Sequence, residues 1–155
     1  MRITTTSRYG VRALFDLAYH GGRQPTQIKD IAERQKISQR YLEQIFNKLL
    51  KAGLLVSRRG PRGGYLLARE PSEITVGDII AAAQGPIVPV RCLVEDDPEK
   101  VACDILSTCI TRHVWQETQK VLVDYYNSVS LEDLCVLARE KGVPRDLDHK
   151  YMYFI

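Results

Sequence analysis

The chain has 155 residues, 45% of them hydrophobic and 26% charged, which fits one folded domain with an added helical arm and excludes a repeat, collagen-like or low-complexity protein. Its start, MRITTTSRYG, lacks the apolar core of a signal peptide, and no apolar run reaches membrane-span length, so a cytoplasmic protein without membrane contact is expected. The net charge of +3 is laid out unevenly: residues 34–69 hold nine basic side chains and one acid, Glu43, leaving the remainder at −5. Scattered lysines would read as a solvated face, but concentration in one segment points to a polyanion partner.

Residues 7–20 (SRYGVRALFDLAYH) place Val11, Leu14, Phe15 and Ala18 at helical spacing, and Gly21-Gly22 ends the run. Pro25 and Thr26 open a second, short helix with Ile28, Ile31 and Ala32 inward. After a turn at 35–37, Ser38 caps a third helix (SQRYLEQIFNKLLKAG), which turns Leu42, Ile45, Phe46, Leu49 and Leu50 to the core and stops at Gly53. Strands at 54–58 and 65–69 flank a Gly/Pro-rich tip, a β-hairpin. Two helices joined by a short turn and followed by a hairpin predict a winged helix-turn-helix. Thr75 and Asp78 then form a capping box for a helix at 75–83.

Residues 84–106 lack any period and carry prolines and acids, as a long functional loop does. A long helix follows at 108–128, with Val114, Trp115, Thr118, Val121, Leu122 and Tyr125 along one side. That stripe is expected to serve partly as core and partly as a surface shared with a second copy. A second capping box, Ser130 with Asp133, opens a last helix that stops at Gly142. The expected fold is therefore mostly α with a small β-hairpin wing (α+β). It divides into a winged helix-turn-helix domain at 1–83, a cysteine-bearing loop at 84–108, dimerisation helices at 109–142 and an unassigned tail at 143–155.

The third helix has the features of a DNA-reading element, with Gln39, Arg40, Tyr41, Glu43 and Gln44 opposite its apolar stripe. Arg and Gln suit guanine and adenine edges; Ser38 and Tyr41 suit phosphates. Glu43 either accepts from a cytosine amino group or pairs within the helix with a cation such as Lys48 or Arg40. The wing tip carries Arg58, Arg59 and Arg62 around Gly60 and Pro61, thin enough and positive enough for a minor groove. Double-stranded DNA with a roughly palindromic operator is the expected partner of a homodimer. No nucleophile–base pair and no phosphate-cradling Gly loop is present, so an enzyme is not expected.

Three of the four cysteines, Cys92, Cys103 and Cys109, lie in the long loop or at its end. Their spacing lacks the close Cys-x-x-Cys pairs of a zinc ribbon. Thiolates on separated, irregular backbone suit an iron–sulfur cluster, while zinc and redox-active thiols stay open as alternatives. A long helix beginning near Thr108 would put Cys109 and His113 at i and i+4, making His113 a candidate fourth ligand. Cys135, among Leu131, Leu134 and Ala138, reads as core.

The segments "DIAERQKIS", "YLEQIF", "KAGLLVSRRGPRGGYLLAR", "ITVGDII" and "CITRHVW", together with Arg8-Tyr9, resemble the iron–sulfur cluster regulator (IscR-type) family of winged-helix transcription factors, related to the NsrR and RirA types. The resemblance runs from residue 1 to about 135. It implies a homodimer with a recognition helix at 38–50 and a cluster, [2Fe-2S] favoured over [4Fe-4S], held by Cys92, Cys103, Cys109 and a variable fourth ligand. It also implies DNA contacts at Ser38, Arg40, Tyr41, Glu43, Gln44, Arg59, Gly60 and Pro61. The IscR-type ligand histidine falls here on Arg112, with His113 one residue on, and the NsrR-type ligand aspartate falls on Arg8, which cannot ligate. The implied function is a transcription regulator whose cluster occupancy alters operator affinity or choice. The alternative is a winged-helix regulator with a zinc-bound or non-sensing thiol loop and a signal supplied by a partner protein.

Overall fold

The computed structural model describes residues 3–94 and 103–145. The middle of the predicted cysteine loop, 95–102, and most of the predicted tail, 146–155, lie outside the described residues. Helix α1 (Thr5–Asp16) starts at the N-cap Thr4, whose hydroxyl accepts from the Ser7 amide at 3.2 Å. It continues into a π-helical turn, Leu17–Gly21. Helix α2 (Ile28–Gln35) ends at Lys36, which takes the left-handed conformation at φ 53° and turns the chain sharply. Ser38 then caps α3 (Gln39–Lys51) by accepting from the Tyr41 amide.

The expected apolar stripe of α3 is realised. Leu42, Ile45, Phe46 and Leu49 are fully buried in one cluster with Ala13, Leu14 and Leu17 of the first helix. Each such side chain contributes about 1.5–3 kcal/mol from leaving water. Gly53, at φ 71°, stops the helix, and the Leu54 amide folds back onto the Leu49 carbonyl at 3.0 Å.

Strands β1 (Leu55–Arg58) and β2 (Gly64–Leu67) form the expected antiparallel hairpin, with Arg58 opposite Gly64 and Leu55 opposite Leu67. Thr26 does not open α2; it pairs with Tyr65 in both directions, amide to carbonyl at 3.0 and 2.9 Å, as a one-residue third strand. That pairing satisfies the Thr26 main chain outside any helix, and α2 begins two residues later.

Helix α4 (Val76–Gln84) opens with the full capping box: Thr75 accepts from the Asp78 amide and the Asp78 carboxylate from the Thr75 amide, both at 3.0 Å. Helices α5 (Thr111–Ser128) and α6 (Leu131–Glu140) follow the cysteine segment. The two differ in how they pack. Leu131, Cys135 and Ala138 of α6 join the same core as α1 and α3. A bridge between Thr75 and Ser130, with bonds Val76 N–H to Val129 C=O (2.8 Å) and Leu131 N–H to Ile74 C=O (2.9 Å), stitches α6 to the winged domain.

No side chain of α5 is buried. Its inner row is Gln119, Leu122, Val123 and Tyr126, at helical spacing against α4, whereas Val114, Trp115, Val121 and Tyr125 remain exposed. One face of α5 is thus half-buried against α4 and the other exposed, and the strongest apolar row is on the exposed face.

Candidate nucleic-acid interface and cysteine site

The reading face is built from the turn between α2 and α3. Asp16, at the end of α1, is fully buried, and Arg34 grips it through Nη2 at 2.7 Å and Nε at 3.1 Å. The Gln35 amide donates to the same carboxylate at 2.8 Å, and Arg12 reaches the Gln35 side chain at 3.1 Å and its carbonyl. A charge-assisted fork of this kind fixes geometry as well as sign. It pins the end of α2, and hence the entry to α3, onto α1. Sequence reasoning missed this network; its signal was an acid inside the apolar run ALFDLAY, where an unpaired carboxylate would not be tolerated.

Ser38, Arg40, Glu43 and Gln44 are exposed on the outer face of α3. Tyr41 is half-buried, its hydroxyl 2.8 Å from Thr6 Oγ1 and its ring edge-on to Tyr9 at 5.9 Å. Glu43 has an intrahelical partner, but not either expected cation: the Gln39 amide donates to it at 3.0 Å. Lys48 instead donates to the Ala83 carbonyl at 2.8 Å, tying α3 to the last turn of α4.

At the wing, Arg58, Arg59, Gly60, Pro61 and Arg62 are all exposed and, with Gln24 and Pro25, line one groove. Gly60 stands at φ 109° and its carbonyl accepts from Gly63 at 2.8 Å, closing the tip turn. Recognition-helix and wing residues thus present an Arg-rich surface with exposed amide and carboxylate groups, the chemistry that DNA edges and phosphates require.

The cysteine site is chemically suited but not assembled. Cys92 sits in a tight turn, Arg91–Leu93, and Cys103 and Cys109 flank a run of turns; all three are half-buried and free of disulfides. Cys109 Sγ lies 3.3 Å from Thr111 Oγ1, and that hydroxyl, then the Arg112 backbone amide, holds its thiol below the ordinary value. Among the described residues, no three or more His, Cys, Asp or Glu side chains converge on a metal position. The i, i+4 placement of Cys109 and His113 fails. Helix α5 starts only at Thr111, and the amides of Arg112 and His113 bond three residues back, to Cys109 and Ile110, in tighter turns. His113 is exposed. As a donor set, three unlinked thiols, one biased toward thiolate, fit an iron–sulfur cluster.

Fold and surface together define a winged helix-turn-helix DNA-binding transcription regulator. Residues 3–136 match the Rrf2 family model, described as an iron-dependent transcriptional regulator, and the chain belongs to that family. Protein rrf2 of Nitratidesulfovibrio vulgaris is 44% identical over 134 residues, 86% of this chain and 87% of that protein. The solved structure of T. potens IscR is 38% identical, with a TM-score of 0.74 over 99% of this chain and 97% of its own. That of CymR, the global cysteine regulator of B. subtilis, is also 38% identical, with a TM-score of 0.70 over 88% and 98%. The family and these relatives are regulators of transcription, not enzymes. No helix among the described residues is long and apolar enough to cross a membrane.

Proposed function

We propose that the protein is a cytoplasmic, homodimeric regulator that senses an iron–sulfur cluster and reads a roughly palindromic operator. The observation that carries this reading is where the three free thiols sit: on the segment between α4 and α5, in a chain of an iron-dependent regulator family. The α4 end of that segment is tied to the reading domain and to α5, and its other end runs directly into α5. Ala83 holds Lys48 of α3; the Gln84 side chain accepts from the Thr4 amide (2.9 Å) and the Ser7 hydroxyl (2.7 Å); the Ile87 carbonyl accepts from Gln119 of α5 at 3.0 Å. Ordering the thiol segment therefore biases the angle between the reading domain and α5, and a bias of a few kcal/mol is enough to shift the population of two arrangements. When bound, a cluster on Cys92, Cys103 and Cys109, with His113 as fourth ligand and [2Fe-2S] as the favoured type, supplies an iron- and redox-responsive crosslink. Ser38, Arg40, Tyr41, Glu43 and Gln44 enter the major groove, while Arg58, Arg59, Gly60, Pro61 and Arg62 follow the flanking minor groove.

The test is anaerobic purification with iron, acid-labile sulfide and Mössbauer analysis. The wild type is expected to be brown with sulfide bound. Cys103→Ala is expected to lose the visible absorbance, and His113→Ala to change the Mössbauer parameters of one iron site. Sulfide-free protein whose Cys→Ser variants bind DNA unchanged would end this reading. Three cysteines with a histidine are also a donor set that suits zinc, which gives a second reading, in which the thiols hold zinc or stay free and a partner protein brings the signal. Zinc without sulfide, or no metal at all, selects it.

A further inference from the structure

The wing is seated on the reading domain by contacts that leave no room for a side chain. Gly64 lies directly opposite Arg58 in the hairpin and, on its other side, against Thr26. A Cβ on Gly64 would stand 2.5 Å from the Thr26 carbonyl oxygen and 2.7 Å from the carbonyl carbon, both backbone atoms that cannot swing away. On neighbouring Gly63, a Cβ would collide with the Arg58 carbonyl oxygen and stand 2.8 Å from that of Gly60. The paired glycines thus let the returning strand pass between Arg58 and Thr26. One residue on, Tyr65 makes the two main-chain bonds to Thr26 and sets its ring edge-on to Phe46, centroids 4.8 Å apart. Phe46 is fully buried on α3, the helix whose outer face carries Glu43 and Gln44. The chain of contact runs from recognition helix to wing through one aromatic pair and one main-chain dock.

We propose that Gly64 and Tyr65 are positioning residues for DNA binding, holding the arginine-bearing wing tip at a fixed offset from α3 so that helix and wing engage one duplex as a unit. The proposal rests on the reading that α3 and the wing both touch DNA. Neither residue reads a base. Their effect is that, once α3 is seated in its groove, the guanidinium groups of Arg58, Arg59 and Arg62 are already over the flank, without a further ordering cost.

The test uses the full chain and a duplex that the wild type enriches from a random-sequence pool. Kd is measured against KCl concentration for wild type, Arg59→Ala, Gly64→Ala, Tyr65→Leu and each positional variant combined with Arg59→Ala. Gly64→Ala is expected to weaken binding about tenfold and to flatten the log Kd–log [KCl] slope by about two, since each lost phosphate contact removes about 0.9. Arg59→Ala is expected to weaken the wild type but to cost little more in the Gly64→Ala chain, because the wing no longer reaches the flank together with α3. Full additivity of the two substitutions, or a Gly64→Ala slope equal to that of the wild type, would overturn the proposal. Should Gly64→Ala fail to fold by circular dichroism, Tyr65→Leu, which keeps the Thr26 main-chain bonds, carries the same cycle: coupling to Arg59 supports the proposal and additivity defeats it. A wild type that enriches no duplex sinks the DNA-contact reading as well, whereas additivity sinks this inference alone.

Discussion

Cys135 is 3% exposed in the core, and burial, aided by the nearby Glu132 charge, pushes its thiol up to about 11. The folded state therefore holds this proton more tightly than the unfolded chain, where the ordinary value is 9.0. Its contribution to stability is complete below pH 9.0 and is lost as the pH rises through about 11. Thermal melts of wild type and Cys135→Ala across that window are expected to converge, the wild type losing more of its melting temperature; parallel curves would refute the assignment. Asp16 offers a larger effect. Its carboxylate is fully buried and bound by Arg34 and Gln35, while the Arg34 side chain keeps 24% exposure and can turn to water. Asp16→Ala is expected to cost about 3 kcal/mol in urea denaturation, at the low end for a broken buried pair. Because the network seats the turn into α3, the same substitution should weaken DNA binding even where the chain is fully folded.

Between α4 and α5 the decisive element contact is Gly77, whose missing side chain admits Asn127: a Cβ there would run into Asn127 Oδ1 and stand 3.0 Å from its Cγ. Gly77→Ala is expected to destabilise by about 1–3 kcal/mol through overpacking. Since the nearest obstruction is side chain and not backbone, Asn127→Ala in the same molecule should restore most of that loss in chemical denaturation. Nothing in the sequence marks this fit, which depends on the crossing of two helices remote in the chain. What was legible is what a local period or cap encodes: the Leu42–Ile45–Phe46–Leu49 stripe, the hairpin, and the capping boxes at Thr75 and Ser130, all formed as read. Thr26 was misplaced because a one-residue strand has no period. Its partner Tyr65 lies far along the chain, so only tertiary structure could assign it. The start of α5 was placed three residues early for a related reason. Tight turns at Cys109 and Ile110 imitate helix in sequence, and with them went the i, i+4 geometry proposed for Cys109 and His113. The exposed face of α3 and the arginine-bearing hairpin tip were legible because a helix face and a hairpin tip are local objects. Convergence of three distant cysteines is not local.

At the scale of the molecule, the charge layout and the apolar layout point to different partners. Arg40 of α3 and Arg58, Arg59 and Arg62 of the wing are exposed, while α5 displays Val114 (55% exposed), Trp115 (41%), Val121 (66%) and Tyr125 (63%) to solvent. Val114, Thr118, Val121 and Tyr125 alternate in steps of four, three and four, the seam spacing of helices that pack on a second helix. A monomer with that row in water carries an apolar stripe that its own core does not cover. The proposed homodimer, paired two-fold through α5, would cover it and present two recognition helices to two half-sites. Val121→Glu puts a charge at the middle of the seam, where desolvation without a partner is costly. Because Val121 is outside the core of the single chain, the variant should keep the wild-type circular dichroism spectrum. Sedimentation velocity is expected to show a dimer for the wild type and a monomer for Val121→Glu. DNA affinity should fall by about 10²–10⁴, the range lost when two linked contacts become one. A Val121→Glu protein that stays dimeric, or a monomer that binds the same duplex as tightly, would place the shared surface elsewhere on the chain.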